Sequence, residues 1–269
     1  MEEIIKALIV GIVQGLTEFL PVSSSGHIVI AQEILGLKHN EEENLLFAIV
    51  LHFATALSTI VVFRKDIIQI FSGLFQFKWN EEFKFSLKIV LSMIPAALVG
   101  ILLKDTLEEL FSNLRLVGFM LLVTATLLFI ADRARNTGKD ISFKDSFIIG
   151  LAQAFAALLP GISRSGSTIS TSILLGDDKS KAARFSFLMV LPLILGATAK
   201  MYFDANQEGS TSALADFEFM PLFVGFLAAF LSGLFACKWM IDFVKKAKLK
   251  YFSFYCSIVG LFVIVYTFV

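Results

Sequence analysis

Two stretches of this chain carry side chains able to do chemistry, and both lie inside apolar runs. The first, Gln14 to His27, reads Q-G-L-T-E-F-L-P-V-S-S-S-G-H. It places a carboxylate, three hydroxyls and an imidazole within an apolar segment from Ile4 to Leu35. The second, Leu159 to Thr168, reads L-P-G-I-S-R-S-G-S-T and carries an arginine in equally apolar surroundings. Ionisable groups at membrane depth are expensive and mark functional sites. The two stretches are expected to meet and form one phosphate-handling site.

The residue types say what such a site could do. Gln14 and Glu18 are four apart and share one helical face. Glu18 can act as a general base or as a hard oxygen ligand for Mg²⁺ or Ca²⁺. The pair also fits a plain hydrogen-bonding contact with a neighbouring helix. Ser23, Ser24, Ser25 and Gly26 follow a proline and precede His27. Backbone N–H groups ahead of a helix can cradle an anion, and a serine near a histidine or glutamate is a candidate nucleophile. A helix cap or small-residue packing would use the same serines. Gly161 allows close backbone approach. Ser163, Ser165 and Thr168 are donors, and Arg164 can clamp a phosphate bidentately. An arginine that merely snorkels belongs near the end of a span, whereas Arg164 sits at a break. His52 lies in a span and is read as a contact with a neighbouring helix. His39 is read as a loop residue.

The elements that position these residues follow from composition. The chain has 269 residues, 57% hydrophobic and 17% charged, with mean hydropathy +0.79. Soluble domains carry about a quarter charged residues. Several apolar runs are long enough to cross a hydrocarbon core of about 30 Å, and the alternating pattern of a β-barrel is absent. The fold class is therefore an all-α polytopic membrane protein in a single integral domain, residues 1–269. Formal net charge is zero, which gives no electrostatic footprint for nucleic acid. Cys237 and Cys256 fall in apolar spans and read as buried filler. The N-terminus M-E-E-I-I-K does not read as a cleavable signal.

Along the chain, Ile4–Leu20 is a helix that Pro21 should stop, residues 22–26 are loop, and Ile28–Leu35 is a short second arm. Two half-length pieces around a polar break predict a re-entrant hairpin, tolerated only inside protein or around a wet cavity. Spans follow at Leu45–Phe63, Ser86–Leu103 (with a kink at Pro95) and Leu114–Ala131. Residues 64–85 are a loop with an amphipathic middle. After the charged linker 132–145 the pattern repeats. Phe147–Leu159 is broken by Pro160-Gly161, and Ile169–Leu175 forms a short arm. Spans are expected at Phe185–Phe203, Phe219–Met240 and Tyr251–Val269.

The halves also match by residue. Gly11, Gln14, Leu20 and Pro21 align with Gly150, Gln153, Leu159 and Pro160 at an offset of 139. After a one-residue insertion, Ser25, Gly26, Leu35 and Gly36 align with Ser165, Gly166, Leu175 and Gly176 at an offset of 140. The chain thus reads as an internal duplication, with repeat 1 at about 1–135 and repeat 2 at about 140–269. Each repeat has one hairpin plus three spans, and if the hairpins do not cross the membrane the odd span number makes the topology inverted. The charge distribution agrees. The loops 64–85, 132–145, 177–183 and 241–250 hold fourteen Lys and Arg, whereas the N-terminus and the loops 36–44, 104–113 and 204–217 hold three: Lys6, Lys38 and Lys104. By the positive-inside rule both termini should face outside. Secondary transporters share inverted repeats with broken helices, so a carrier of phosphate or of a lipid-phosphate headgroup is the alternative reading. An intramembrane serine protease would use the serines and histidine but gives Arg164 and the duplication no role.

The two motifs, G-I-V-Q-G-L-T-E-F-L-P-V-S-S-S-G-H and L-L-P-G-I-S-R-S-G-S-T, resemble the bacterial undecaprenyl-diphosphatase family, also called the bacitracin-resistance family. The similarity runs nearly end to end. The family's first motif, Glu or Gln, three residues, then Glu, falls on Gln14 and Glu18. Its second, P-G-x-S-R-S-x-x-T, falls on Pro160, Gly161, Ser163, Arg164, Ser165 and Thr168, and the family histidine falls on His27. The resemblance implies a multi-pass enzyme of the bacterial cytoplasmic (inner) membrane. Its implied reaction removes the terminal phosphate of undecaprenyl diphosphate, recycling the lipid carrier for peptidoglycan synthesis and conferring bacitracin resistance. It also implies a divalent cation, Mg²⁺ or Ca²⁺, with Glu18 as its ligand. Glu18, Ser24, His27 and Arg164 are the expected catalytic residues. Gln14, Ser23, Ser25, Gly26, Gly161, Ser163, Ser165 and Thr168 are expected at the substrate. Ser24 or a water would attack phosphorus, with Glu18 or His27 as base. Gln14 cannot ionise, so a two-carboxylate metal site is not available here. Beyond substrate and membrane lipid, self-association into a homo-oligomer is compatible with the sequence.

Overall fold

The computed structural model describes residues 1–36, 41–102, 110, 113–135, 137–207, 219–246 and 248–268. Lys38, His39, Lys104, residues 208–217 and Val269 lie outside the described residues. The described part contains eleven helices: α1 Glu2–Phe19, α2 Ser24–Leu35, α3 Glu41–Val62, α4 Arg64–Leu74, α5 Glu81–Leu102, α6 Leu114–Asp132, α7 Phe143–Leu158, α8 Arg164–Leu174, α9 Lys179–Gln207, α10 Phe219–Lys245 and α11 Leu249–Tyr266. Five of them (α5, α6, α9, α10 and α11) are long and apolar enough to cross a membrane, and α3 with α4 gives a sixth bent by 78°. This is a multi-pass membrane protein.

The breaks fall where proline dictates. Leu20 and Leu159, each preceding a proline, are both extended, with φ/ψ of −67°/140° and −121°/110°. That is the conformation a following proline imposes, and it ends α1 and α7. Both return arms begin earlier than the apolar pattern suggests. Residues 22–26 are not all loop, because α2 starts at Ser24, and α8 starts at Arg164 rather than Ile169. Ser23 and Ser163 are the N-caps, and their hydroxyls accept from the backbone N–H of Gly26 and Gly166. A cap of this kind offsets the open helix start, so polar residues join the helix ahead of the apolar ones. The segment 64–85 is likewise not a loop. Arg64, Lys65 and Asp66 end the apolar run of α3, and the chain turns into the amphipathic α4, tied to α9 by Asp66 Oδ1 and Arg184 Nε at 2.6 Å. The helix α5 runs unbroken through Pro95.

Packing is reciprocal between the halves. The first arm α1 lies on α10, and its counterpart α7 lies on α5. Both contacts are close enough to require glycine. A Cβ on Gly11 would stand 2.4 Å from the Gly225 carbonyl oxygen, and one on Gly150 would stand 2.5 Å from that of Ser92. The last spans, α6 and α11, cross each other. There Gly118 and Gly260 meet, and a Cβ on Gly118 would stand 3.1 Å from the Gly260 carbonyl oxygen and one on Gly260 2.8 Å from that of Gly118. Such close backbone crossings characterise helix association in lipid, where no hydrophobic force drives it.

At one end of the molecule the linker is pinned to the second hairpin. Lys139 Nζ lies 2.7 Å from Asp145 Oδ2 and 3.7 Å from Asp177 Oδ1, and Ser172 donates to Asp177 Oδ2 at 2.8 Å. Hydrogen bonding to Asp145 holds the Lys139 ammonium above its usual range, while burial pushes the Asp177 carboxyl up. A leucine at Gly118 or Gly260 forces α6 and α11 apart. Each substitution is expected to cost about 1–3 kcal/mol, read as a lower thermal unfolding midpoint in detergent, whereas leucine at the open Gly100 leaves the midpoint unchanged.

Candidate functional site

The two hairpin tips meet, and the contact is ionic. Arg164, the first residue of α8, points a guanidinium Nη2 at Glu18 Oε1, 2.5 Å away. Its Nη1 donates to the Ser186 carbonyl at 3.3 Å. The other Glu18 oxygen, Oε2, accepts from the Ser24 hydroxyl at 2.9 Å and from Gln14 Nε2 at 3.1 Å. Glu18 is buried, with only 7% of its surface exposed. Its charge is compensated by a guanidinium and two neutral donors, the condition under which a buried carboxylate is tolerated.

The serines do different work by position. Ser23 and Ser163 cap their helices, and each also lies near the second serine along, at 3.4 Å from Ser25 Oγ and 3.3 Å from Ser165 Oγ. Ser165 Oγ reaches across to the Leu20 carbonyl at 3.3 Å, tying one hairpin tip to the other. Thr168 bonds the Arg164 carbonyl at 2.9 Å and Ser186 Oγ at 2.6 Å, which fixes the turn that carries Arg164. Gly161 sits at φ +96°, and Thr124 brackets it by donating to its carbonyl and accepting from the Ser163 N–H, both at 3.0 Å. The first hairpin, shorter by one residue, has no glycine for this turn. There Ser23 itself takes φ +73°, a region that non-glycine residues seldom occupy and that clusters at functional sites.

Eleven of the twelve residues singled out from the sequence thus converge on the two tips and the carboxylate between them. His27 does not join them. Its Nδ1 donates to the Ser23 carbonyl at 2.8 Å, and its Nε2 pairs with the Tyr255 hydroxyl at 2.8 Å, with the two rings stacked 5.5 Å apart. Both nitrogens are committed to holding α2 against α11, so neither faces Ser24 or Glu18. The imidazole beside the carboxylate is instead His52 of α3, whose Nε2 is 3.7 Å from Glu18 Oε2. Only a polar side chain within a span marked His52 in the sequence, and that signal does not say which way the ring points.

The matching offsets between the two stretches show how the site is shared. At the offsets of the two halves, Ser24 and Arg164 are equivalent positions, each the first residue of a capped arm. Glu18 corresponds to Ala157, so Gln153, the counterpart of Gln14, has no carboxylate one turn away, and both its amide atoms are buried without a hydrogen-bond partner.

Residues 7–262 match the family described as Bacitracin resistance protein BacA. The chain belongs to this family. Among its BacA-family relatives, it is 58% identical over 267 residues to an undecaprenyl-diphosphatase of Christiangramia forsetii, covering 99% of both chains. It is 52% identical over 263 residues to one of Bacteroides thetaiotaomicron, covering 97% of this chain and 98% of the relative. A third, from Halothermothrix orenii, is 39% identical over 266 residues, covering 98% of each.

The Glu18–Arg164 contact makes a prediction of its own. Arg164→Ala leaves a buried carboxylate unpaired and is expected to destabilise the protein by about 3 kcal/mol. Adding Glu18→Gln removes the stranded charge and should recover most of that loss. Thermal unfolding of the two single variants and the double variant, in detergent, reads the coupling, and strictly additive losses would show that the two side chains do not interact.

Proposed function

We propose that this protein hydrolyses undecaprenyl diphosphate to undecaprenyl phosphate and orthophosphate, the activity its BacA-family relatives carry in their names. The observation that carries this reading is the joining of Glu18, Ser24 and Arg164 at the meeting point of two capped hairpins. A hydroxyl, its base and a phosphate-binding cation stand within one hydrogen-bonded group. A transporter needs an anion site but has no use for a serine bonded to a carboxylate.

In this reading Arg164 exchanges one anion for another. Its guanidinium leaves Glu18 Oε1 for the terminal phosphate, where it offers two parallel donors. The N–H groups at the two arm starts complete the cradle, and the Ser163, Ser165 and Thr168 hydroxyls hold the tips that present them. Ser24 attacks phosphorus, and Glu18 Oε2, already its hydrogen-bond acceptor, takes the proton. The donors are in place before charge develops, which is how fixed dipoles lower a barrier of this kind. Direct attack by a water activated at Glu18 is the other route open to the same residues. His27 serves by fixing the first hairpin against α11.

A divalent cation suits this donor set in one way. Among the described residues no group of three or more His, Cys, Asp or Glu side chains is placed to hold a metal. Glu18 supplies a carboxylate, and beside it the Gln14 carbonyl oxygen is buried without a hydrogen-bond partner. These are hard oxygen ligands, too few for a protein-only cage and suitable for an ion held mainly by diphosphate oxygens. Bound there by Glu18 and Gln14, Mg²⁺ or Ca²⁺ would neutralise charge on the diphosphate.

The inverted repeat belongs to the same reading. It is supported by the reciprocal packing of α1 on α10 and α7 on α5, and by the crossing of Val117-Gly118 with Val259-Gly260, like sequences 142 residues apart. The units are then about 1–135 and 140–269, with the basic loops cytoplasmic and both termini outside the bacterial inner membrane.

Purified protein should release orthophosphate from a C55 or C15 prenyl diphosphate in detergent. EDTA should abolish release, and Arg164→Ala and Ser24→Ala should each reduce it by about 10²-fold or more. Binding of diphosphate without release by the folded wild-type protein would favour the transporter, to be followed by flux measurements in proteoliposomes.

A further inference from the structure

The orientation of His52 has a consequence for the second half of the reaction. His52 Nδ1 lies 2.7 Å from the Ala48 carbonyl oxygen. A carbonyl only accepts, so Nδ1 carries a proton, and a ring without a second proton presents a lone pair at Nε2. That lone pair faces Glu18 Oε2, also an acceptor, across 3.7 Å. The distance is beyond a direct hydrogen bond, and two acceptors cannot bond each other at any distance. It suits one water molecule donating a hydrogen to each. The same Oε2 accepts from Ser24 at 2.9 Å, so a water held between Glu18 and His52 lies beside the Ser24 oxygen. With both hydrogens directed at acceptors, its free lone pair points away from them, toward whatever Ser24 carries. About a third of the His52 side chain is exposed, against 7% for Glu18, so the ring borders the opening of the site rather than its floor.

We propose that His52 Nε2 and Glu18 Oε2 together hold the water that cleaves a phosphoserine formed on Ser24. The proposal depends on the covalent version of the reaction above. In the first step the Ser24 Oγ–P bond forms and the bond from that phosphorus to the bridging oxygen breaks. The Ser24 proton passes through Glu18 to the departing lipid phosphate. In the second step the water oxygen bonds to phosphorus, the P–Oγ bond breaks, and one water proton passes through Glu18 back to Ser24. Orthophosphate leaves, and the carboxylate ends as it began. His52 only accepts a hydrogen bond throughout, so it is a water-positioning residue, and any side chain with an acceptor at the same place should serve.

The test uses a prenyl diphosphate labelled in its terminal phosphate, with rapid acid quenching of the full-length protein in detergent. His52→Leu, which has no acceptor, is expected to slow orthophosphate turnover by roughly 10–100-fold, the scale of a misplaced reactant. The first release of lipid phosphate should keep its rate, and label should accumulate on the protein. His52→Gln, which keeps an acceptor oxygen, should turn over within about threefold of wild type with no added label, in line with its retained hydrogen bond. Wild-type turnover in His52→Leu overturns the proposal, and so does a loss of the first release in step with turnover, which would put His52 in binding or in the first step. If His52→Leu does not fold, His52→Ala takes its place. Added imidazole should then restore turnover, and failure to restore it counts against the proposal. Ser24→Ala separates the two layers. If that variant turns over like wild type, the covalent reading itself fails. If it is inactive while His52→Leu is normal, only the assignment of His52 fails.

Discussion

The contact between Glu18 and Arg164 is the constraint on which the rest depends. A carboxylate and a guanidinium, each costly to place within an apolar bundle, arrive on separate hairpins from opposite halves of the chain. Neither tip can be buried alone without stranding its charge. Docked, they compensate each other, and Ser24 and Gln14 satisfy the remaining carboxylate oxygen. The broken helices, the small residues that let α1 and α7 approach their neighbours, and the serine caps all bring these two side chains to one place. In the proposed reaction an arriving diphosphate would compete for the guanidinium and free the carboxylate.

The site is asymmetric although the two hairpins that form it are built alike. Both halves keep the proline break, the capping serine, the serine two residues on and the glycine whose N–H the cap receives. What differs is the residue just inside each cap, serine in one half and arginine in the other, and the residue one turn before the break, Glu18 in one and Ala157 in the other. A symmetric pair of acids or of arginines would meet like charge with like charge. Placing the serine and the carboxylate on one tip and the guanidinium on the other removes that conflict. It also leaves Gln153 as a polar residue with no partner one turn on.

Much of this was legible in the sequence because membrane burial makes polar residues conspicuous. Glu18 and Arg164 stand out against their surroundings, and prolines mark both breaks. The apolar pattern misplaced the starts of α2 and α8, because it cannot see a hydroxyl taking over a backbone donor and drawing polar residues into a helix. It read 64–85 as loop because α4 is amphipathic and lies at 78° to the span before it. The histidines were the real ambiguity. His27 lies within the motif and His52 outside it, and proximity along the chain favours the first. Ring direction decides otherwise, and it is set by partners hundreds of residues away (Tyr255 for His27) or one turn back (Ala48 for His52), neither of which leaves a mark in local spacing.

The extra residue in the second hairpin has a physical effect out of proportion to its size. With Gly161 available, the turn after Pro160 takes its positive φ at glycine, and Ser163 enters α8 relaxed at φ −70°. The first hairpin must make the same reversal one residue sooner, and the positive φ falls on Ser23, immediately before the residue assigned to attack phosphorus. Backbone strain of this kind persists only where neighbouring contacts over-determine it. Here the Gly26 N–H bonds the Ser23 hydroxyl, and His27 bonds its carbonyl on one side while stacking on Tyr255 on the other. His27 therefore matters to Ser24 without touching it. By holding the Ser23 carbonyl, it fixes the strained turn that aims the Ser24 hydroxyl at Glu18. A histidine inside the motif can be needed for the reaction although both its nitrogens are committed to structure.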